Sequence, residues 1–196
     1  MYLNCTLVVD IDGTLIPVLV DFEELRRKVR RVLGVNDPLK PLGESLHRLR
    51  VDESLKREAW GVIEEAELES TSRLNTADLE VNAEAIRRAV KSGLRVVVVT
   101  TRSYKTARIV LEKLGLLGII GELVTRDYTP IRADQLRYII EKYTGRVVFI
   151  GDTVYDEKAA REVGVEFISV ESYRDLPRVV EKVVRDCTSN SSAVLK

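Results

Sequence analysis

Five short apolar runs, Thr6–Asp10, Arg95–Thr100, Glu122–Thr125, Val147–Ile150 and Val165–Val170, constrain the fold more than anything else in this chain. Continuous apolar runs of this length are the mark of strands buried on both faces. From the second run onward they alternate with helical patterns: Tyr104–Leu114, Ala133–Tyr143, Asp156–Val163 closed by Gly164, and Leu176–Arg185. Leu136, Ile139, Ile140 and Tyr143 recur at helical spacing, as do Val179, Val180 and Val183. Strand–helix alternation predicts an α/β fold, a Rossmann-like parallel sheet with helices on both faces.

The stretch between the first and second runs has a different character. It is charge-rich and reads as helices at Phe22–Leu33, Leu42–Val51, Glu53–Leu68 and Asp78–Lys91, separated by Gly34, Asn36-Asp37-Pro38 and Pro41. We expect residues 1–15 and 90–187 to form the sheet core, residues 16–89 an inserted helical cap subdomain, and residues 188–196, rich in Ser and Asn, a flexible tail.

The totals remove several function classes. Basic and acidic residues balance at 31 each, so no global field draws the chain to nucleic acid or to a membrane, and neither is expected as a partner. No apolar run approaches a membrane span and no signal-peptide pattern opens the chain, so a cytoplasmic location is expected. Cys5 and Cys187 stand far apart in no metal-type spacing; reduced thiols are expected, with a bridge left open. The one histidine, His47, lies in a charged helical stretch and reads as a surface residue, which rules out a site built on several histidines.

The chemistry-bearing residues collect where the strands end. The first run closes on Asp10-Ile11-Asp12-Gly13-Thr14, two carboxylates two apart. Acidic groups ending an apolar strand are costly unless a cation, a proton or hydrogen bonds compensate them. The second run ends in Thr100-Thr101-Arg102-Ser103 and opens a helix, whose N-terminus can hold an anion. Arg132 precedes the next helix and offers a guanidinium for phosphate. The fourth run ends in Gly151-Asp152-Thr153-Val154-Tyr155-Asp156, a second acidic pair. Taken singly, these are ordinary turns, N-caps and a surface arginine. Gathered on one sheet edge, they match what phosphoryl transfer with Mg²⁺ needs: hard oxygen ligands and cationic partners for phosphate.

In these motifs the chain resembles the haloacid dehalogenase (HAD) superfamily of phosphohydrolases. Asp10 to Leu15 is similar to the family's DxDGT signature, Thr100 to its strand-end Thr/Ser, and Gly151-Asp152 through Asp156 to its GDxxxD motif. The third motif is normally a lysine; Arg132 stands nearest that place, with Arg126 as the alternative. The resemblance implies Asp10 as nucleophile, Asp12 as acid/base, and Thr100 and Arg132 as further catalytic groups. Gly13, Thr100, Thr101 and Arg132 would hold phosphate. Mg²⁺ would sit on Asp10, Asp12 (through its carbonyl), Asp152 and Asp156. A helical insertion at this position resembles the family's C1-type cap, and the plan is nearest to phosphoglycolate phosphatase-like enzymes. The expected activity is hydrolysis of a small phosphorylated metabolite through an aspartyl-phosphate. A phosphomutase of the same superfamily, or a receiver-like or non-catalytic signalling or scaffold protein, are the alternatives. The run Arg26, Arg27, Lys28, Arg30, Arg31 reads as a solvated face, with use for an acidic substrate as the sharper reading.

Overall fold

The computed structural model describes residues 4–193. In chain order the elements are β1 (Cys5–Val9), α1 (Phe22–Leu33), α2 (Leu42–Arg48), α3 (Glu53–Ser72), α4 (Glu80–Lys91), β2 (Arg95–Val99), α5 (Tyr104–Lys113), β3 (Glu122–Val124), α6 (Arg132–Lys142), β4 (Arg146–Gly151), α7 (Val154–Val163), β5 (Glu166–Ser169) and α8 (Leu176–Ala193). The strands form one parallel sheet in the order β3-β2-β1-β4-β5.

The sheet is covered on both sides because alternate side chains of one apolar strand point to opposite faces. Leu7 and Val9 pack with Val96, Val98, Val148 and Ile150 beneath α4, α5 and α8. Val8 packs with Val97, Val99 and Phe149 against Leu136 and Ile139 of α6 and Ala159 and Ala160 of α7. A strand buried on both faces has no polar side to show, which is why β1 and β2 read as unbroken Leu/Val runs.

The helical insertion has a small core of its own, built from Leu25, Val29 and Leu33 of α1, Leu42 and Leu46 of α2, Leu39 between them, and Ala59 and Ile63 of α3. Asp21 caps α1 by accepting from the Glu24 N–H at 2.9 Å, and Gly34 closes it in the left-handed conformation. This agrees with an inserted helical cap on a Rossmann-like core.

Three details differ from expectation. First, α4 packs with the sheet, through Ala83, Ile86 and Ala89, and not with the core of the insertion. Its apolar stripe is of a kind that serves either body, so only tertiary contact decides its allegiance. Second, the expected tail at 188–196 does not begin at Thr188: the backbone of α8 stays helical to Ala193, and residues 194–196 lie outside the described residues. Cys187 extends the stripe of Leu176, Val179, Val180 and Val183 onto the core, which anchors the helix beyond Arg185. Third, Cys5 and Cys187 form a disulfide instead of reduced thiols, with Cα atoms 6.2 Å apart. The bridge joins the start of β1 to α8 across a sequence separation of 182, a proximity no local pattern reports.

Candidate active site

The order β3-β2-β1-β4-β5 places a switch point between β1 and β4, where successive crossovers leave in opposite directions. Crevices outside the carboxyl ends of such strands are where open α/β sheets bind ligands. The ladder holds the site's backbone one residue past the strands: Asp10 N–H donates to Ile150 O at 3.1 Å, and Thr100 N–H to Val124 O at 2.9 Å.

Beyond Asp10 the chain turns tightly, with Leu15 and Ile16 N–H both donating to Ile11 O and Gly13 N–H to Ile16 O at 2.8 Å. Ile11, Leu15 and Ile16 are buried and anchor the turn. Gly13 is required here for two reasons. Its φ is +81°, and a Cβ would lie 2.0 Å from Oδ2 of Asp152. The N–H of Gly13 donates to Ile16 O, and the missing side chain leaves room for Asp152. Gly151 does the same for Asp156, whose Cβ stands 2.9 Å from where a side chain would begin.

Asp10, Asp152 and Asp156 each offer an oxygen within 4.8 Å of the others. Arg132 bridges two of them, donating from Nη2 to Asp10 Oδ1 at 2.7 Å and pairing through Nε with Asp156 Oδ1 at 2.9 Å. Asp156 also completes a capping box with Thr153 at the start of α7, accepting from the Thr153 hydroxyl at 2.6 Å. Thr14 Oγ1 donates to Asp152 Oδ1 at 3.4 Å.

Burial pushes the Asp10 carboxyl up to about 8; Arg132 opposes this, while Asp156, Asp12 and Asp152 add to it. Burial, reinforced by Asp156, pushes Asp152 up to about 6. Arg132 thus pairs with two of the three carboxylates, and with all three ionised the cluster would carry two more negative charges than positive ones. The donor set is all oxygen, as Mg²⁺ prefers. Asp12 stands apart from this cluster: both its oxygens are taken by Arg102, through Nε and Nη2 at 2.7 Å each.

The candidate arginines of the third motif separate clearly. Arg132 reaches Asp10, whereas Arg126 pairs with Glu67 of α3 and lies over the Trp60 ring. The helix start at α5, read from sequence as an anion site, is already filled: Ser103 N–H donates to Glu67 and Tyr104 N–H to Asp127 at 2.6 Å. Thr100 is buried and its hydroxyl accepts from Arg102 N–H at 3.2 Å, while the exposed Thr101 lines the cavity. Glu67 and Arg102 were the residues that sequence did not single out. The Thr-Thr-Arg-Ser segment contained the signal for Arg102, but nothing nearby named its partner.

A cavity of about 850 Å³ runs from Asp10, Asp12, Arg132 and Asp152 up to Phe22, Arg26, Lys40 and Arg48 of the insertion. Of the basic run on α1, only Arg26 and Arg30 are half-buried, and Arg26 alone lines this cavity. Its Nε is buried without a partner, and its Nη2 pairs with Glu23 at 2.5 Å. His47 is exposed, as expected, and no described helix is long and apolar enough to cross a membrane.

The fold has many solved relatives. A hydrolase from Pseudomonas syringae superposes with a TM-score of 0.66 at 17% identity, covering 88% of this chain and 89% of its own. A Thermotoga maritima protein described as a candidate beta-phosphoglucomutase gives 0.58 at 17%, covering 93% and 100%. A Lactobacillus plantarum protein described as a candidate phosphoglycolate phosphatase gives 0.53 at 21%, covering 85% and 86%. At these identities the likeness is one of fold. No curated protein sequence matches the chain. The family model of haloacid dehalogenase-like hydrolases matches residues 6–164, a span that takes in both acidic strand ends and the whole helical insertion between them. The chain belongs to the haloacid dehalogenase-like hydrolase family.

Proposed function

We propose that this hydrolase is a Mg²⁺-dependent phosphatase of small phosphomonoesters that uses Asp10 as its nucleophile. The observation that carries the reading is the Asp10–Asp152–Asp156 cluster, its oxygens within 4.8 Å and bridged by Arg132, at the switch point of the sheet. Asp10, the Asp12 carbonyl, Asp152 and, further out, Asp156 would hold the ion. Bound Mg²⁺ supplies the positive charge that lets a buried carboxyl ionise near neutral pH and offsets charge on the phosphoryl oxygens.

The residues divide the work as follows. An Asp10 carboxylate oxygen attacks phosphorus, the bond to the ester oxygen breaks, and Asp12 gives its proton to that oxygen, releasing an alcohol. A water then attacks the aspartyl-phosphate, Asp12 takes the water's proton, and the bond to Asp10 breaks to release inorganic phosphate. Arg132 and the Thr100-Thr101 strand end hold phosphoryl oxygens, and the Arg132 fork suits two of them at once. Asp156 keeps Arg132 aimed at Asp10.

The cavity has the size of a metabolite site. Its far wall is formed by α1 and the start of α2, which we assign as a cap that excludes water over a small phosphorylated metabolite. We place the enzyme in the cytoplasm, where such metabolites are held. Its disulfide is then of the kind found in intracellular hyperthermophile proteins. The unpartnered Nε of Arg26 on that wall favours one other reading, a mutase that grips a second phosphate.

The test is a panel of phosphorylated metabolites, assayed for phosphate release with and without Mg²⁺, for the native chain and Asp10→Asn. Metal-dependent release lost in Asp10→Asn is expected; release that survives either change refutes the assignment. Conversion of a glucose phosphate to its isomer without phosphate release selects the mutase.

A further inference from the structure

The contacts of Arg102 go beyond what the phosphatase reading requires. Its side chain is 2% exposed and is among the largest fully buried ones described, although it carries a full charge. A guanidinium is held there only if its donors are satisfied. Nε and Nη2 grip both oxygens of Asp12 at 2.7 Å. The remaining donors go to α3: Nη1 to Thr71 Oγ1 at 2.8 Å and Glu67 O at 3.4 Å, and Nη2 also to Ser70 Oγ at 3.1 Å. The backbone N–H of Arg102 donates to Thr100 Oγ1.

One residue thus joins three parts of the molecule. These are the carboxylate that lines the cavity two residues after Asp10, the strand end of β2, and the last turn of the long helix of the insertion. α3 is itself fastened to the same place by Glu67, which is buried and accepts from Ser103 N–H, from Thr106 Oγ1 at 2.7 Å and from Arg126. Asp12 has no other side-chain partner among the described hydrogen bonds, so its placement depends on Arg102.

We propose that Arg102 is a positioning residue for Asp12: its planar fork fixes the carboxylate at the cavity wall and makes that placement depend on the seating of α3. This rests on the phosphatase reading, in which Asp12 moves protons. Each carboxylate oxygen gives one lone pair to the fork and keeps another for the substrate side. A carboxylate freed from the fork would sample other rotamers, and proton delivery to the leaving oxygen would suffer. Arg102 touches no reacting atom in this role.

Leaving-group dependence tests it, because only an alcohol that cannot depart as its anion needs the proton from Asp12. p-Nitrophenyl phosphate and an alkyl phosphate are compared with Mg²⁺ present for the native chain, Arg102→Gln, Arg102→Lys and Thr71→Val, with urea midpoints alongside. In Arg102→Gln we expect kcat/KM, which reports the steps up to release of the alcohol, to fall about tenfold or more further on the alkyl ester than on the aryl ester. Arg102→Lys keeps the charge without the fork and falls between. Thr71→Val lies away from Asp12 and keeps the test available if Arg102→Gln does not fold; it shows the same selectivity, more weakly. Equal losses on both esters, or a gain on the alkyl ester, overturn the role of Arg102. Failure of the native chain to hydrolyse either ester overturns the phosphatase reading and this role with it.

Discussion

Replacing Asp10, the proposed nucleophile, should make the metal-free protein more stable, and the size of the gain should depend on pH. Asp10 is 5% exposed and its carboxyl is pushed up by burial to about 8, from an ordinary value of 3.8. Between those values the folded state binds a proton that the unfolded chain gives up. Stability from this group is therefore fully present below about pH 4 and is lost as pH rises through about 8. A rise of about four units corresponds to at most roughly 6 kcal/mol, and relaxation of the site leaves about 2–4 kcal/mol. Asp10→Asn keeps the shape and the acceptor for Arg132 Nη2 but never ionises. In chelator at pH 8, urea unfolding should find it about 2–4 kcal/mol more stable than the native chain, and thermal unfolding should find its Tm roughly 5–15 °C higher for a chain of this length. At pH 4 the two should coincide. Mg²⁺ should close most of the gap at pH 8: at a hundredfold excess over Kd it adds about 2.7 kcal/mol to the native chain and far less to the variant. A gain that does not change with pH, or a loss of stability at pH 8 in chelator, would refute the reasoning.

Three other perturbations follow from the same geometry. Arg132→Ala should cost about 10²–10³ in kcat, the scale of one lost anion-stabilising group, and Arg132→Lys should recover part of it; phosphate release under saturating substrate measures both. Gly13→Ala, with φ at +81° and a Cβ 2.0 Å from Asp152 Oδ2, should destabilise by more than about 1 kcal/mol and abolish Mg²⁺-induced thermal stabilisation; a variant that still responds to Mg²⁺ contradicts the close approach. Reduction of Cys5–Cys187, or Cys5→Ser, should lower the unfolding free energy from urea titration by up to about 4 kcal/mol in view of the length of chain it closes; an unchanged value means that the bridge contributes nothing.

Much of this architecture was legible from local pattern alone. The five strands fall within one or two residues of the apolar runs, because Leu7-Val8-Val9 and Val96 to Val99 are buried on both faces and carry no polar alternation to mislead. Their ends announced Asp10, Thr100 and Asp152, since a polar residue closing such a run lies at the carboxyl edge of the sheet. What stayed hidden depends on pairs far apart in the chain. Arg102 and Asp12 are separated by 90 residues and Cys5 and Cys187 by 182. Sequence left Arg126 and Arg132 both open for the third motif. Only the fold shows that Glu67 takes the first and Asp10 the second. The stripe of α4 is equally suited to cap or core, and its Asn82, donating to Leu15 O and Tyr173 O at 2.9 Å each, pins the turn after Asp10 from the core side. The start of α5 was expected to hold an anion; in the structure its Ser103 and Tyr104 N–H groups donate to the carboxylates of Glu67 and Asp127, which lie 36 and 23 residues away in the chain and which no local pattern names.

The central claim is that phosphate passes through Asp10. Acid quenching during turnover with Mg²⁺ and a hydrolysed phosphomonoester, followed by borohydride reduction and peptide mass spectrometry, tests it directly. An aspartyl-phosphate at this position is reduced to homoserine, so the account predicts homoserine at position 10 and aspartate at positions 12, 152 and 156. Homoserine at one of those other positions, or none anywhere while phosphate is being released, would contradict it.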